Sequence, residues 1–158
     1  MGDALDIEAV FRRHVKTVYR VCYSFMGSAA DAEDATQATF MKLIDHPRTF
    51  ESEQHEKAWL IVCASNLCKD ILKSAARTRV TAMPEREPAD PRQADPIDAT
   101  LDAVLRLPTQ YKDVVYLHYY EGYKTGEIAE MLGENPSTVR NRLRDARALL
   151  REALGGDE

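Results

Sequence analysis

The chain has 158 residues, with 21 Lys and Arg against 26 Asp and Glu, a formal net charge of -5, 44% hydrophobic residues and 3 Cys. Such a length holds one ordinary domain or two small ones, and the apolar fraction excludes a chain disordered throughout. Three cysteines make no disulfide framework, the acids Asp3 and Asp6 stand where a secretory leader needs a basic region, and no apolar stretch reaches membrane-spanning length; a reducing cytoplasm is expected, with neither export nor membrane insertion.

From the N-terminus, Ile7, Phe11, Val15, Val18, Cys22 and Phe25 recur at steps of three and four, the spacing of one helical face, and Gly27 supplies a stop. Asp31, with Asp34 three residues on, predicts the cap of a second amphipathic helix that carries Ala35, Thr39, Phe40, Leu43 and Ile44 and ends at His46-Pro47. A polar loop from Pro47 to Gln54 leads to a third helix, about Glu56 to Ala76, with Trp59, Leu60, Cys63, Leu67 and Ile71 on its apolar side. The run from Pro84 to Pro96 then holds four of the seven prolines and almost no large apolar residue. It buries too little surface to offset its ordering entropy and predicts a flexible acidic linker, residues 81–96, between lobes at 1–80 and 97–158.

In the second lobe, Asp95-Pro96 reads as a cap with proline in the first turn, ahead of Ile97, Leu101, Val104 and Leu105 on one face. Pro108 opens the next helix in the same way, and Tyr111, Val114, Val115 and Leu117 run towards Gly122. Ile128, Ala129 and Leu132 then make a short helix that stops at Gly133. Asn135-Pro136 starts a final helix with Val139, Leu143, Ala146 and Leu150 inward. A short helix, a tight turn and a second, basic helix constitute a helix-turn-helix. No segment alternates with strand period, so the expected fold is all-α, two small helical domains joined by the linker.

An acidic chain appears unsuited to nucleic acid until its charge is divided along the sequence. Residues 57–80 carry five basic residues and one acid, and residues 137–158 carry five basic residues and four acids. Phosphates respond to the local island rather than to the total. On the last helix Arg140, Arg144, Arg147 and Arg151 share a stripe, and Ser137, Thr138, Arg140, Asn141 and Arg144 occupy the first two turns, which enter the major groove in helix-turn-helix proteins. Arg and Asn bond base edges, and Ser or Thr bond phosphates. A solvated amphipathic helix is the plain alternative; the preceding helix and capped turn favour DNA. The third helix presents Asn66, Lys69, Lys73 and Arg77 with Asp70 as the lone acid among them.

Catalysis and metal binding find little support. Cys63 and Cys68 lie about 140° apart around one predicted helix, Cys22 and Cys63 lie on apolar faces and read as small core residues, and His14, His46, His55 and His118 show no ligand spacing. No phosphate loop, nucleophile elbow or zinc-protease motif is present. No enzyme activity, metal or cofactor is expected.

The run from Leu107-Pro108 through Tyr111, Leu117, Glu121-Gly122, Thr125, Glu127-Ile128-Ala129 and Leu132-Gly133 to Ser137-Thr138-Val139, Arg142-Leu143 and Ala146-Arg147 closely resembles region 4 of bacterial extracytoplasmic-function (ECF) sigma factors. Asp31-Ala-Glu-Asp34-Ala-Thr-Gln37-Ala-Thr-Phe40 resembles region 2.2, and Ala58-Trp59-Leu60 with Asn66 and Asp70 resembles regions 2.3 and 2.4. The resemblance implies a sigma factor that binds core RNA polymerase, through its β′ clamp helices and β flap, and directs initiation at promoter DNA. It assigns Asp34 and Gln37 to polymerase binding, and the loop from Phe50 to Glu56 to capture of a flipped minus-10 base. Asn66, Lys69, Lys73 and Arg77 would face the melted strand, whose splayed bases and phosphates suit such a surface. Thr125, Ser137, Thr138, Arg140, Asn141 and Arg144 would face the minus-35 element. An anti-sigma partner and a bacterial cytoplasmic location follow from the same resemblance. The competing reading is a stand-alone helix-turn-helix regulator with an N-terminal interaction domain.

Overall fold

The computed structural model describes residues 6–78 and 99–153, the side chains of residues 76–78, 99–102 and 153 excepted. The expected linker, the Asp95-Pro96 cap, Ile97 and the side chains of Arg77 and Leu101 lie outside the described residues. Regular structure among the described residues is helical, as the apolar spacing predicts. The chain divides into two compact units, Met1–Pro88 and Ala89–Glu158.

The first unit is a three-helix bundle: α1 (Ile7–Met26), α2 (Ala29–Asp45) and α3 (Glu53–Thr78), each packed on the other two. The Asp6 carboxylate caps α1 by accepting from Ala9 N at 3.2 Å, and Gly27 ends it at φ 80°, its N–H donating to Tyr23 O. Ser28, not Asp31, caps α2: its hydroxyl accepts from Asp31 N at 3.2 Å. Asp31 instead lies in the first turn, where its charge complements the helix dipole. The third helix starts three residues earlier than its apolar spacing suggests, because Ser52 Oγ accepts from His55 N at 3.0 Å and caps a first turn of polar residues.

Val18, Val21 and Cys22 of α1 meet Ala35 and Leu43 of α2 and Leu60, Ile61, Ala64 and Cys68 of α3 in the core, all nearly inaccessible. The inward side of α3 differs from the expected one. Leu60 is shared, but Cys63 and Leu67 are half-buried and Ile71 is 37% exposed. Their places are taken by Ile61, Ala64, Ser65 and Cys68. Small side chains line this crossing, and a pattern built on large apolar residues misses them. Phe11 and Ile44 are likewise exposed, at 39% and 45%, rather than inward.

The second unit comprises α4 (Ala99–Arg106), α5 (Thr109–Val115), α6 (Thr125–Leu132) and α7 (Pro136–Ala153). Pro108 stands at the cap of α5 rather than in its first turn, with Tyr111 N donating to its carbonyl at 3.0 Å. The expected continuous run to Gly122 changes character midway: Tyr116–Tyr120 form a π-helical turn, closed by Glu121 N on Tyr116 O at 3.2 Å. Buried Lys112 donates to Leu105 O at 2.9 Å, tying α5 to α4. The core is Val104, Val114, Val115, Leu117, Ile128, Val139 and Leu143.

Gly133 ends α6 at φ 69°. Its N–H reaches Glu130 O at 3.4 Å and Glu134 N reaches Ala129 O at 2.9 Å, the paired bonds of a Schellman stop. A Cβ at Gly133 would meet nothing within 4 Å, so the penalty for a side chain is confined to the backbone. Gly133→Ala destabilises the unit by roughly 1–2 kcal/mol. Gly126, helical and equally open, is its control: Gly126→Ala raises the thermal midpoint where Gly133→Ala lowers it. Differential scanning calorimetry of the full chain reads both signs.

Candidate nucleic-acid interface

The turn between α6 and α7 sets the first surface. The helices α6 and α7 pack together with Ile128, Ala129, Val139, Leu143 and Ala146 buried, which leaves the opposite side of α7 towards solvent. Ser137, Asn141 and Arg144 follow one another at steps of four and three on that side, with Arg140 beside them; all four are exposed. Thr138 and Thr125 are half-buried, in the first turns of α7 and α6. Arg147 and Arg151 extend the exposed basic stripe. Every residue expected to read the minus-35 element thus falls on these two helices, although Pro136 in the first turn of α7 offers no N–H to a phosphate.

Three side-chain links brace this motif. Lys124 N donates to Glu127 Oε1 at 2.8 Å ahead of α6, Arg142 Nη1 lies 3.5 Å from Glu134 Oε2 in the turn, and Arg147 Nη1 donates to Tyr119 OH at 3.3 Å. The last joins α7 to the π-helical turn. Arg144 Nε lies 3.6 Å from Asp145 Oδ1, with both side chains at least half exposed. A pair so solvated holds its arginine weakly.

The second surface lies on α3. Asn66, Lys69, Asp70 and Lys73 share one side; Asn66, Asp70 and Lys73 are exposed and Lys69 half-buried. Arg77 lies on the same helix, its side chain outside the described residues. Ahead of α3, the irregular loop ends at Ser52, and Glu53 to Glu56 form the first turn of the helix rather than loop. The loop is clamped by rings. The Arg48 guanidinium lies over the Trp59 ring at 4.8 Å, Phe50 meets Trp59 at 5.9 Å and His55 at 5.3 Å, and Glu51 N donates to His55 Nδ1 at 3.2 Å.

Glu56 departs most from expectation. It is 5% exposed, and its Oε1 accepts from Arg13 Nε at 3.1 Å, Arg13 Nη2 at 2.9 Å and His14 Nε2 at 2.8 Å; His14 is also 5% exposed. Glu53 adds a longer contact to Arg13 at 3.7 Å. The hydrogen bond from Arg13 to Glu56, aided by the charges of Glu56, Glu53 and Asp6, raises the guanidinium pKa above its ordinary value against the opposing effect of desolvation. In sequence Glu56 reads as one more first-turn acid, and nothing in the spacing of Arg13 and His14 links them to it.

On α2, Asp34 and Gln37 are exposed one turn apart. Gln37 borders a shallow apolar groove between α1 and α2 lined by Ile7, Phe11, Phe40, Met41 and Ile44. Phe11 meets Phe40 edge-on at 4.9 Å. The cysteines contribute to packing: Cys22 and Cys68 are buried and Cys63 half-buried, so Cys68 rather than Cys63 joins Cys22 in the core. Burial pushes the Cys63 thiol pKa up, away from the reactive thiolate. Among the described residues no three His, Cys, Asp or Glu side chains gather as a metal site would need, and no helix is long and apolar enough to cross a membrane.

The family model for sigma-70 region 2 matches residues 10–78, and that for sigma-70 region 4 matches residues 97–150. The ECF RNA polymerase sigma factor SigL of Mycobacterium tuberculosis is 30% identical over 97% of this chain and 91% of its own length. This chain belongs to the ECF sigma factors. SigE of Mycolicibacterium smegmatis, another ECF sigma factor, is 33% identical over 93% of this chain; the chain spans 61% of SigE's length. Among solved structures, the sigma factor RpoE of Bartonella quintana, crystallised with the anti-sigma factor NepR, has the same fold: TM-score 0.74 at 20% identity, covering 97% of this sigma factor and 99% of RpoE. The two described surfaces of this sigma factor therefore sit one in each matched region, α3 in region 2 and α7 in region 4.

Proposed function

We propose that this sigma factor binds core RNA polymerase and directs it to promoters, reading a minus-10 element with region 2 and a minus-35 element with region 4. One observation carries the reading: two separate helical units, matched in order to regions 2 and 4, each expose a hydrogen-bonding face with basic residues on a helix whose other side is core. Polymerase binding falls to Asp34 and Gln37 of α2, on the β′ clamp helices, and to region 4 on the β flap. Asn66, Lys69, Lys73 and Arg77 face the melted minus-10 strand. Arg140, Asn141 and Arg144 contact the minus-35 bases or backbone, with Thr125, Ser137 and Thr138 on phosphates. The working domains are 1–80 and 97–158, with 81–96 as linker. An anti-sigma factor is the expected regulator, as NepR partners RpoE, and the bacterial cytoplasm is where these partners meet.

Each basic island holds five Lys and Arg, the one in residues 137–158 offset by four acids, so either island alone makes few phosphate contacts. The chain therefore binds promoter fragments poorly by itself and as a monomer, and well once joined to core polymerase. A stand-alone helix-turn-helix regulator behaves oppositely: it binds duplex DNA tightly without polymerase, usually as a dimer across two half-sites. Gel-shift titration of a promoter fragment, with and without core polymerase, separates the two.

A further inference from the structure

A carboxylate in the first turn of a helix is ordinarily solvated, where it complements the dipole at little cost. Glu56 is buried instead, and three donors from α1 converge on its Oε1 at 2.8 to 3.1 Å. A buried ionic cluster gives up hydration, so apolar packing of equal volume would stabilise the bundle as well or better. What the cluster adds is direction. Hydrogen bonds from Arg13 and His14 to one oxygen set both the rotation and the axial position of the first turn of α3 relative to α1.

The loop ahead of α3 is fastened to that same turn. His55, adjacent to Glu56, accepts from Glu51 N at 3.2 Å and meets the Phe50 ring at 5.3 Å. Trp59, three residues beyond Glu56, holds Phe50 at 5.9 Å and Arg48 at 4.8 Å. Ser52 joins loop to helix through His55 N at 3.0 Å. A change in the angle of this turn moves His55 and Trp59 together and, through them, the backbone and rings of residues 48–52.

We propose that Glu56, held by Arg13 and His14, is a positioning residue for base discrimination at the minus-10 element: it fixes the turn on which the reading loop is mounted. This rests on the proposed minus-10 reading by region 2, with the base-capturing role that the sigma-factor resemblance implies for the loop from Phe50. Glu56 itself is too deeply buried to touch DNA, so its effect appears in selectivity, without direct loss of a DNA or polymerase contact.

The test uses holoenzyme assembled from core polymerase and the full chain, with promoters carrying each of the four bases at successive minus-10 positions. Open-complex formation, followed by permanganate reactivity, gives the ratio of best to worst base. Glu56→Gln keeps the side-chain volume and removes the charge; it is expected to lower that ratio at least about threefold while core affinity and minus-35 binding stay within about twofold. Arg13→Lys keeps the charge, loses the two-pronged grip and is expected to lower the ratio less; it carries the comparison alone if Glu56→Gln does not fold. Phe50→Ala, in the loop itself, tests the underlying reading. If Phe50→Ala lowers the ratio and both cluster variants leave it unchanged, the inference is overturned and the loop reading stands. If Phe50→Ala also leaves it unchanged, the loop reading fails and the inference with it. A folded Glu56→Gln with a lowered thermal midpoint and an intact ratio assigns Glu56 a purely structural role and overturns the inference.

Discussion

Arg144→Ala weakens holoenzyme binding to minus-35 DNA by about tenfold to a hundredfold, the roughly 1–3 kcal/mol of a lost base contact, and leaves affinity for core polymerase within about twofold. The guanidinium is well placed for so selective an effect. Its side chain is 69% exposed, and its ionic contact to Asp145 at 3.6 Å is itself solvated. Removing it therefore leaves no buried charge, and alanine is the best helix former, so α7 keeps its shape. The converse pair is Asp34→Ala with Gln37→Ala. Both residues are exposed on α2, outside the core that Ala35, Phe40 and Leu43 build from the same helix. Their joint removal lowers core affinity by about tenfold and spares minus-35 binding. Fluorescence anisotropy, with labelled promoter DNA in one titration and labelled core polymerase in the other, reads the two dissociation constants. Equal losses of both affinities in each variant, with the fold intact, contradict the assignment of the two faces.

Glu56→Ala destabilises the first unit by about 2 kcal/mol and lowers its thermal midpoint by roughly 10 °C. The loss comes from the interior side of the cluster. His14, 5% exposed, loses its acceptor at 2.8 Å with little access to water, and truncation of a buried glutamate leaves a void between α1 and α3. Arg13, whose side chain is 37% exposed, turns to water and loses less. Glu53→Ala is the comparison: its carboxylate is 72% exposed and 3.7 Å from Arg13, so its removal moves the midpoint by a degree or two at most. A Glu56→Ala midpoint indistinguishable from that of Glu53→Ala contradicts the view of Glu56 as the clamp between the helices.

The regions most legible in the sequence are those where local rules act alone. Gly27 and Gly133 end helices because the αL conformation at φ 80° and 69° favours residues without a Cβ, and both were readable as stops. Val139, Leu143 and Ala146 were readable as inward because a basic face opposed them on one long helix. Where two elements share the decision, the sequence is ambiguous. Ser28 and Asp31 are both good caps, and the chain's exit from Gly27 decides for Ser28. The apolar side of α3 turned on Ala64, Ser65 and Cys68, whose burial depends on how near α1 comes. The π-helical turn inserts a residue into an otherwise regular run, which no periodicity announces. On the candidate site, the exposed residues of α3 and α7 followed from helical spacing. Glu56 did not, because its partners lie 42 and 43 residues away and pairing of that kind exists only in the folded chain.

The most direct measurement is run-off transcription from fragmented bacterial genomic DNA with core RNA polymerase, with and without this chain and free of any anti-sigma factor. A sigma factor yields discrete transcripts only when the chain is present, from fragments that share paired minus-35 and minus-10 elements, and Arg144→Ala diminishes them. Stable association with core polymerase but no chain-dependent transcript from any fragment, or tight promoter binding by the chain with no polymerase association at all, contradicts it.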